Sequence, residues 1–181
     1  MPFVLSAVIV LLDQITKAIV VRNVPLIYES GFTIEVIGDF LRIIHARNLG
    51  MAFSLGNNLP PVVRFLLLVV VSGAVLVWLV VSLYRSAETT DTQRWFLALV
   101  LGGGIGNLID RVFRPAGVVD FVDVAWFGLE VRWPGFLAWE RWPTFNVADS
   151  AISVGVVLII GSLLFTGATA RKDNRSGERK A

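Results

Sequence analysis

Two aspartates stand near the ends of two different apolar stretches, Asp120 in Val118-Val119-Asp120-Phe121 and Asp149 in Phe145-Asn146-Val147-Ala148-Asp149. A carboxylate at the edge of a bilayer loses much of its hydration, so it persists where it has a partner or a task. Two such groups brought together could hydrolyse an amide. One would be ionised and activate water while the other, protonated, donates to the carbonyl oxygen. Two like charges held close enforce that division by raising one pKa. No metal or other cofactor is required, and the proton belongs to the pair as a coupled system rather than to either residue.

Other polar residues accompany them. Asn107, Asp110 and Arg111 follow the glycine run Gly102-Gly103-Gly104, and the Asp110 carboxylate could hold Arg111 or another neighbouring donor in a fixed pose. The blander reading of Arg111 is a headgroup anchor. Asn146 and Asp149, three apart, could equally form a simple helix N-cap. Asp13 and Lys17 are four apart, so they share a helix face and can pair, which lowers the cost of carrying either into lipid. An ion pair that only orients the first helix explains them as well as a direct part in chemistry does. Asp123 competes with Asp120 for a place in the pair. Ser150 has no nearby His and no nucleophile-elbow motif, and His45 lacks an HExxH-type partner; a Ser-Lys pair using Lys17 stays open, although nothing marks a particular Ser.

The elements that must position these groups are membrane helices. The 181-residue chain is 55% hydrophobic and 17% charged, with a mean hydropathy of +0.72, too apolar for a soluble domain of this size. It has no Cys and one His, which excludes disulfide staples and thiolate metal sites and leaves little for an imidazole centre. A net charge of +2, with no long basic run before the tail, offers no footprint for nucleic acid. Four stretches approach the roughly 20 apolar residues that cross a bilayer core: about 3–21, 62–84, 95–112 and 146–166. The first lacks a basic n-region and is interrupted by Asp13 and Lys17, so it reads as a retained helix, not a cleaved signal. Gly102 and Gly106 have the spacing that lets another helix approach closely.

Four spans put both termini on one side. Arg171, Lys172, Arg175, Arg179 and Lys180 make that side cytoplasmic by the positive-inside rule, and residues 171–181 read as a disordered tail. Between the first two spans, Phe32 to Val36 and part of Phe40 to Ala46 alternate apolar with polar around Gly38-Asp39, predicting a small extramembrane β-element. Between the last two come Trp126, Phe127, Trp133, Phe136, Trp139 and Trp142, an interfacial aromatic belt that could also cover a groove. The fold expected is a mainly α, four-helix membrane bundle carrying that β-element and an aromatic-rich loop. A proton relay through Asp110, Asp120 and Asp149 would also explain membrane acids, but it calls for polar groups spread through the membrane depth and often an internal repeat. The acids gather toward one face, and residues 1–85 and 86–170 show no repeat. An assembly factor held by Gly-xxx-Gly contacts leaves the paired acids unexplained.

Five blocks in order, Asp13-Gln14-Ile15-Thr16-Lys17, Asn48-Leu49-Gly50-Met51-Ala52-Phe53, Gly106-Asn107-Leu108-Ile109-Asp110-Arg111, Val119-Asp120-Phe121 and Phe145-Asn146-Val147-Ala148-Asp149, resemble lipoprotein signal peptidase, or signal peptidase II. Each block is weak alone, and the set covers nearly the whole chain. The resemblance implies a single peptidase domain over residues 1–170 in the bacterial inner membrane, with both termini cytoplasmic and the site near the outer face. It implies an aspartic endopeptidase that cleaves diacylglyceryl-modified prolipoproteins before the lipidated cysteine, with membrane lipids as its surroundings; the sequence does not fix the oligomeric state, and a monomer is the expectation. By motif, the dyad falls on Asp120 and Asp149. Asn48, Gly50, Asn107, Asp110, Arg111 and Asn146 line or brace the site, and Asp13 and Lys17 support helix one. The stretch from Asp123 to Thr144 is longer and richer in Trp than in compact members of the family.

Overall fold

A computed structural model describes residues 1–50, 59–85, 89–125 and 141–178. Met51, Ala52 and Phe53, the aromatic residues at 126, 127, 133, 136 and 139, and Arg179 and Lys180 lie outside the described residues. Four helical spans, Pro2–Ser30, Val62–Ser82, Asp91–Phe113 and Val147–Phe165, are long and apolar enough to cross a membrane. Helix α1 covers Pro2–Asn23 and is followed by one short turn, α2 (Ile27–Ser30). The second span is not a uniform helix. It runs as α3 (Pro61–Phe65), a π-helical turn over Leu66–Val71, and α4 (Ser72–Arg85). Helix α5 is Asp91–Phe113 and α6 is Val147–Glu178.

Two boundaries differ from the apolar-run expectation. Helix α5 starts at Asp91, not near Trp95, because Thr90 and Gln93 form a reciprocal capping box that satisfies the orphan amides of the first turn. Helix α6 runs on to Glu178, so its backbone continues into the basic segment read from the sequence as unstructured. Most large apolar side chains on the spans, among them Leu12, Leu67, Val77, Val157 and Leu164, face outward, as lipid requires.

The glycine run makes α5 the central helix. A Cβ on Gly102 would meet Ser6 O of α1 at 2.9 Å, and one on Gly106 would meet Asp13 Oδ2 at 2.7 Å and Ala148 Cβ of α6 at 3.2 Å. Side chains at these places would hold α1 and α6 apart. Ser6 Oγ donates to Ala98 O at 2.8 Å across the α1–α5 seam.

The β-element forms where expected and is larger than expected. Strands β1 (Ile34–Ile37) and β2 (Leu41–Asn48) make the hairpin, turning at Gly38 with φ +47°. A third strand, β3 (Val118–Val124), pairs antiparallel with β2, giving the order β1-β2-β3. Ala46 lies opposite Asp120 and Asn48 opposite Val118. Asp120 is therefore a strand residue. Val-Val-Asp-Phe-Val-Asp-Val hides this, because its first four residues are all buried and the usual apolar-polar alternation is lost. The sheet sits against the end of α1, where Val20, Val24, Val119 and Phe121 form a cluster joined by Ile43, Val122 and Val147.

Candidate active site

The fold brings Asp120 on β3 and Asp149 in the first turn of α6 to the two sides of one residue, Asn146. Its side-chain Nδ2 donates to Asp120 Oδ1 at 2.7 Å, and its backbone N donates to Asp149 Oδ2 at 3.2 Å. Asn146 Oδ1 in turn accepts from Asp149 N at 2.9 Å, a reciprocal capping arrangement at the start of α6. Asn146 thus caps α6 and at the same time reaches Asp120, so the N-cap arrangement and the contact with the second aspartate coexist. Asn146 Nδ2 also faces Asn107 Oδ1 at 3.2 Å and Val119 O at 3.3 Å.

Each carboxylate has a second amide donor. Asn107 Nδ2 reaches Asp149 Oδ1 at 2.8 Å, and Asn48 Nδ2 reaches Asp120 Oδ2 at 3.2 Å. Asn48 is oriented for this because its Oδ1 accepts from Gly50 N at 3.0 Å, which leaves the NH2 end facing β3. Burial, and after it the charge of Asp149, pushes the Asp120 carboxyl up to about 7; the hydrogen bonds from Asn48 and Asn146 and the Lys17 charge pull the other way.

Below the pair lies a dry ionic cluster. Lys17 and Asp13 are wholly buried and paired at 2.8 Å, as their spacing on α1 predicts. The Lys17 ammonium also meets Asp110 Oδ2 at 3.0 Å and Asn107 Oδ1 at 3.0 Å on α5. Asp110 does not hold Arg111. It accepts from Lys17, from Gln14 Nε2 at 3.1 Å, from the Arg114 guanidinium and from the Val119 backbone N at 3.1 Å. Arg114, one helical turn after Asp110, has the i, i+4 spacing for this; Arg111 points elsewhere. Arg111 has a buried Nε with no hydrogen-bond partner among the described residues. It lines a cleft of about 170 Å³ with Asn48, Arg64, Phe65, Leu68 and Arg114. A larger cleft of about 640 Å³, between α1, α4 and α5, is lined mostly by apolar groups such as Val10, Val80 and Ile105 and holds none of the acids.

The competing residues are occupied. Asp123 Oδ2 is 2.8 Å from Arg42 Nη2, and Asp123 Oδ1 is 2.8 Å from Arg141 Nε, so it fastens the sheet. Ser150 Oγ donates to Asn146 O at 2.9 Å inside its own helix. His45 Nδ1 donates to Val24 O at 2.9 Å, and burial lowers its pKa, so the ring is neutral and structural. Among the described residues, no group of three or more His, Cys, Asp or Glu side chains is gathered to hold a metal ion.

Several supporting groups were not singled out from the sequence. Gln14 lies between Asp13 and Lys17, and its amide ties Asp13, Gly106 O and Asp110 together at 3.1 Å each. Gly117 has φ +95°, and a Cβ there would meet Asn48 O at 2.5 Å, so only glycine lets β3 enter beside the end of β2. A lone glycine between a helix end and an apolar run was the available signal.

The arrangement has relatives. The family model described as "Signal peptidase (SPase) II" matches residues 5–165. Proteins named lipoprotein signal peptidase from Treponema denticola and Treponema pallidum are 44% and 43% identical; each alignment covers 88% of this chain, and they cover 89% and 81% of those proteins. Two solved structures described as bacterial membrane enzymes superpose with TM-scores of 0.75 and 0.71 at 29% and 31% identity, covering 93% and 90% of this chain and 90% and 92% of those chains. A four-span bundle whose polar groups converge on two aspartates, matched over nearly its whole length, belongs to the signal peptidase II family, the membrane proteases that process the signal peptides of prolipoproteins.

Proposed function

We propose that the chain is an aspartic endopeptidase in which Asp120 and Asp149 are the catalytic dyad, acting on diacylglyceryl-modified prolipoproteins and cutting before the lipidated cysteine. The observation that carries the reading is the double reach of Asn146, which donates to both carboxylates from one buried position. With its pKa near 7, Asp120 carries a proton about half the time at neutral pH. Asp149, held by Asn107 and the Asn146 amide, is the partner that accepts a proton from water.

In the working state the pair holds one proton between its two carboxyls, and the cycle runs with Asp149 ionised and Asp120 protonated. Water gives a proton to Asp149 as its oxygen attacks the scissile carbonyl carbon, and Asp120 donates its proton to the carbonyl oxygen. The tetrahedral adduct then collapses: Asp120 recovers its proton, Asp149 passes the other to the departing amine, and the pair returns to its starting state. Arg111, with an unused buried Nε at the neighbouring cleft, and the site asparagines are the groups we assign to the substrate backbone and the lipid ester carbonyls.

Helix α6 starts at the site and runs away from it toward the basic end of the chain. With that end in the cytoplasm, both termini are cytoplasmic and the pair works at the outer face of the inner membrane. Substrate enters sideways from the bilayer, because its apolar signal helix and acyl chains gain nothing by leaving lipid. The test is purified protein given a lipid-modified precursor and the same precursor unmodified. Cleavage of the modified form alone, abolished in Asp120→Asn and Asp149→Asn proteins that remain folded, is expected. Cleavage surviving either substitution would end the dyad assignment.

A further inference from the structure

Lys17 has no exposed surface, and all three of its N–H donors are matched by three acceptors: Asp13 Oδ2, Asp110 Oδ2 and Asn107 Oδ1. Each contact continues to the acid pair. Asp13 Oδ1 accepts from the backbone N of Ala148 at 3.0 Å, the residue before Asp149. Asp110 Oδ2 accepts from the backbone N of Val119 at 3.1 Å, the residue before Asp120. Asn107 uses its other end to donate to Asp149 Oδ1 at 2.8 Å. One ammonium therefore anchors two carboxylates that each hold the amide immediately preceding one member of the pair, and an amide that grips the second member directly.

An ion pair meant only to carry helix one into lipid needs Asp13 alone. The additional reach to Asp110 and Asn107 joins α1 to α5, and through them to β3 and α6, the two elements that bear the pair. We propose that Lys17 is a positioning residue for the acid pair, its buried ammonium fixing through Asp13, Asp110 and Asn107 the spacing of the segments that carry Asp120 and Asp149. This rests on the reading of those two aspartates as the catalytic dyad. Lys17 contacts Asp13, Asp110 and Asn107 and acts on the chemistry through these neighbours and its charge. Without the cation, Asp13 loses its ion-pair partner and, among the described residues, Asp110 keeps only Arg114 as one, so the two buried carboxylates are driven apart. Their separation releases the Ala148 and Val119 amides.

The charge has a second consequence. Lys17 is among the groups that hold the Asp120 pKa down. Beside the pair stand Asp13 and Lys17 on α1 and Arg111 on α5; Asp110 and Arg114 are paired with each other, and Asp123 on β3 is neutralised by Arg42 and Arg141. Removing Lys17 takes a positive charge from this set and moves the Asp120 limb of the pH–rate profile upward. Loss of fold support alone lowers the amount of active enzyme without moving that limb.

Lys17→Met, Lys17→Arg and Asp110→Asn are compared with Asp120→Asn and Asp149→Asn on a lipid-modified precursor, with amide exchange followed at Val119 and Ala148. Lys17→Met is expected to lower kcat about 100-fold, the scale of a misplaced reacting group, with KM within about twofold. Its Asp120 limb moves up and both amides exchange faster. Lys17→Arg keeps the charge and leaves the limb in place. Asp110→Asn, which stands in where Lys17→Met does not fold, loosens the Val119 amide so that it exchanges faster, and lowers kcat. Lys17→Met turning over within about threefold of the parent, or losing kcat with the limb and both amides unchanged, overturns the proposal; so does a parental kcat or an unchanged Val119 amide in Asp110→Asn. Should Asp120→Asn and Asp149→Asn process the precursor, the dyad reading fails whatever Lys17 does. If both are inert while Lys17→Met is normal, only the positioning claim fails.

Discussion

Asn146 performs two separable tasks, and two substitutions divide them. Its Oδ1 caps α6 through Asp149 N, and its Nδ2 holds Asp120 Oδ1. Serine keeps an oxygen able to cap but has no amide to reach β3; alanine has neither. The cap is worth about 1 kcal/mol, so Asn146→Ala is expected to be less stable than Asn146→Ser by about that amount. The bond to Asp120 involves an ionisable group, worth about 1.5–3 kcal/mol, or roughly 10- to 150-fold in kcat if it is fully felt in the transition state. Both variants should lose this equally. They should also share a shift in pH dependence. A donor favours the ionised carboxyl, so its removal raises the Asp120 pKa above its present value of about 7. The limb of the pH–rate profile set by Asp120 moves to higher pH in both proteins. The assay is kcat against pH on the lipid-modified precursor, paired with denaturant unfolding of each variant in the same lipid or detergent. A serine variant with parental kcat, an unmoved limb, or equal stability of the two variants would refute the division of labour.

Further outcomes follow from the same geometry. Asp120 has a folded pKa of about 7 against 3.8 for the free group, so the folded protein binds this proton more tightly than the unfolded chain does. The stabilisation is complete below about pH 3.8 and is lost as pH rises through 7, a difference of at most about 4 kcal/mol. Asp120→Asn should therefore gain stability relative to the parent at pH 8, with the gain fading toward pH 4, while turnover is abolished; unfolding at both pH values checks this. Asp123→Asn should leave kcat within about threefold, because Asp123 serves Arg42 and Arg141 and stands outside the pair. It should weaken the sheet by about 1–3 kcal/mol, seen as faster amide exchange across β2 and β3.

Much of this protein was legible in its residues taken in order. The apolar runs set the four spans, and the i, i+4 spacing of Asp13 and Lys17 announced their ion pair, because helix periodicity is a local property. The five polar blocks identified the family. Only the tertiary structure decided what each group holds. It made Asp120 a strand residue beside Ala46, turned Asp110 away from Arg111 toward Lys17, Gln14, Arg114 and the Val119 amide, and committed Asp123 to two arginines on the sheet. The reason is physical. These partners are far apart along the chain, and they meet only because glycines on α5 and at position 117 let α1, α6 and the sheet approach within hydrogen-bonding distance in a dry site. Spacing in the sequence prescribes which side chains share a face; close packing prescribes which faces meet.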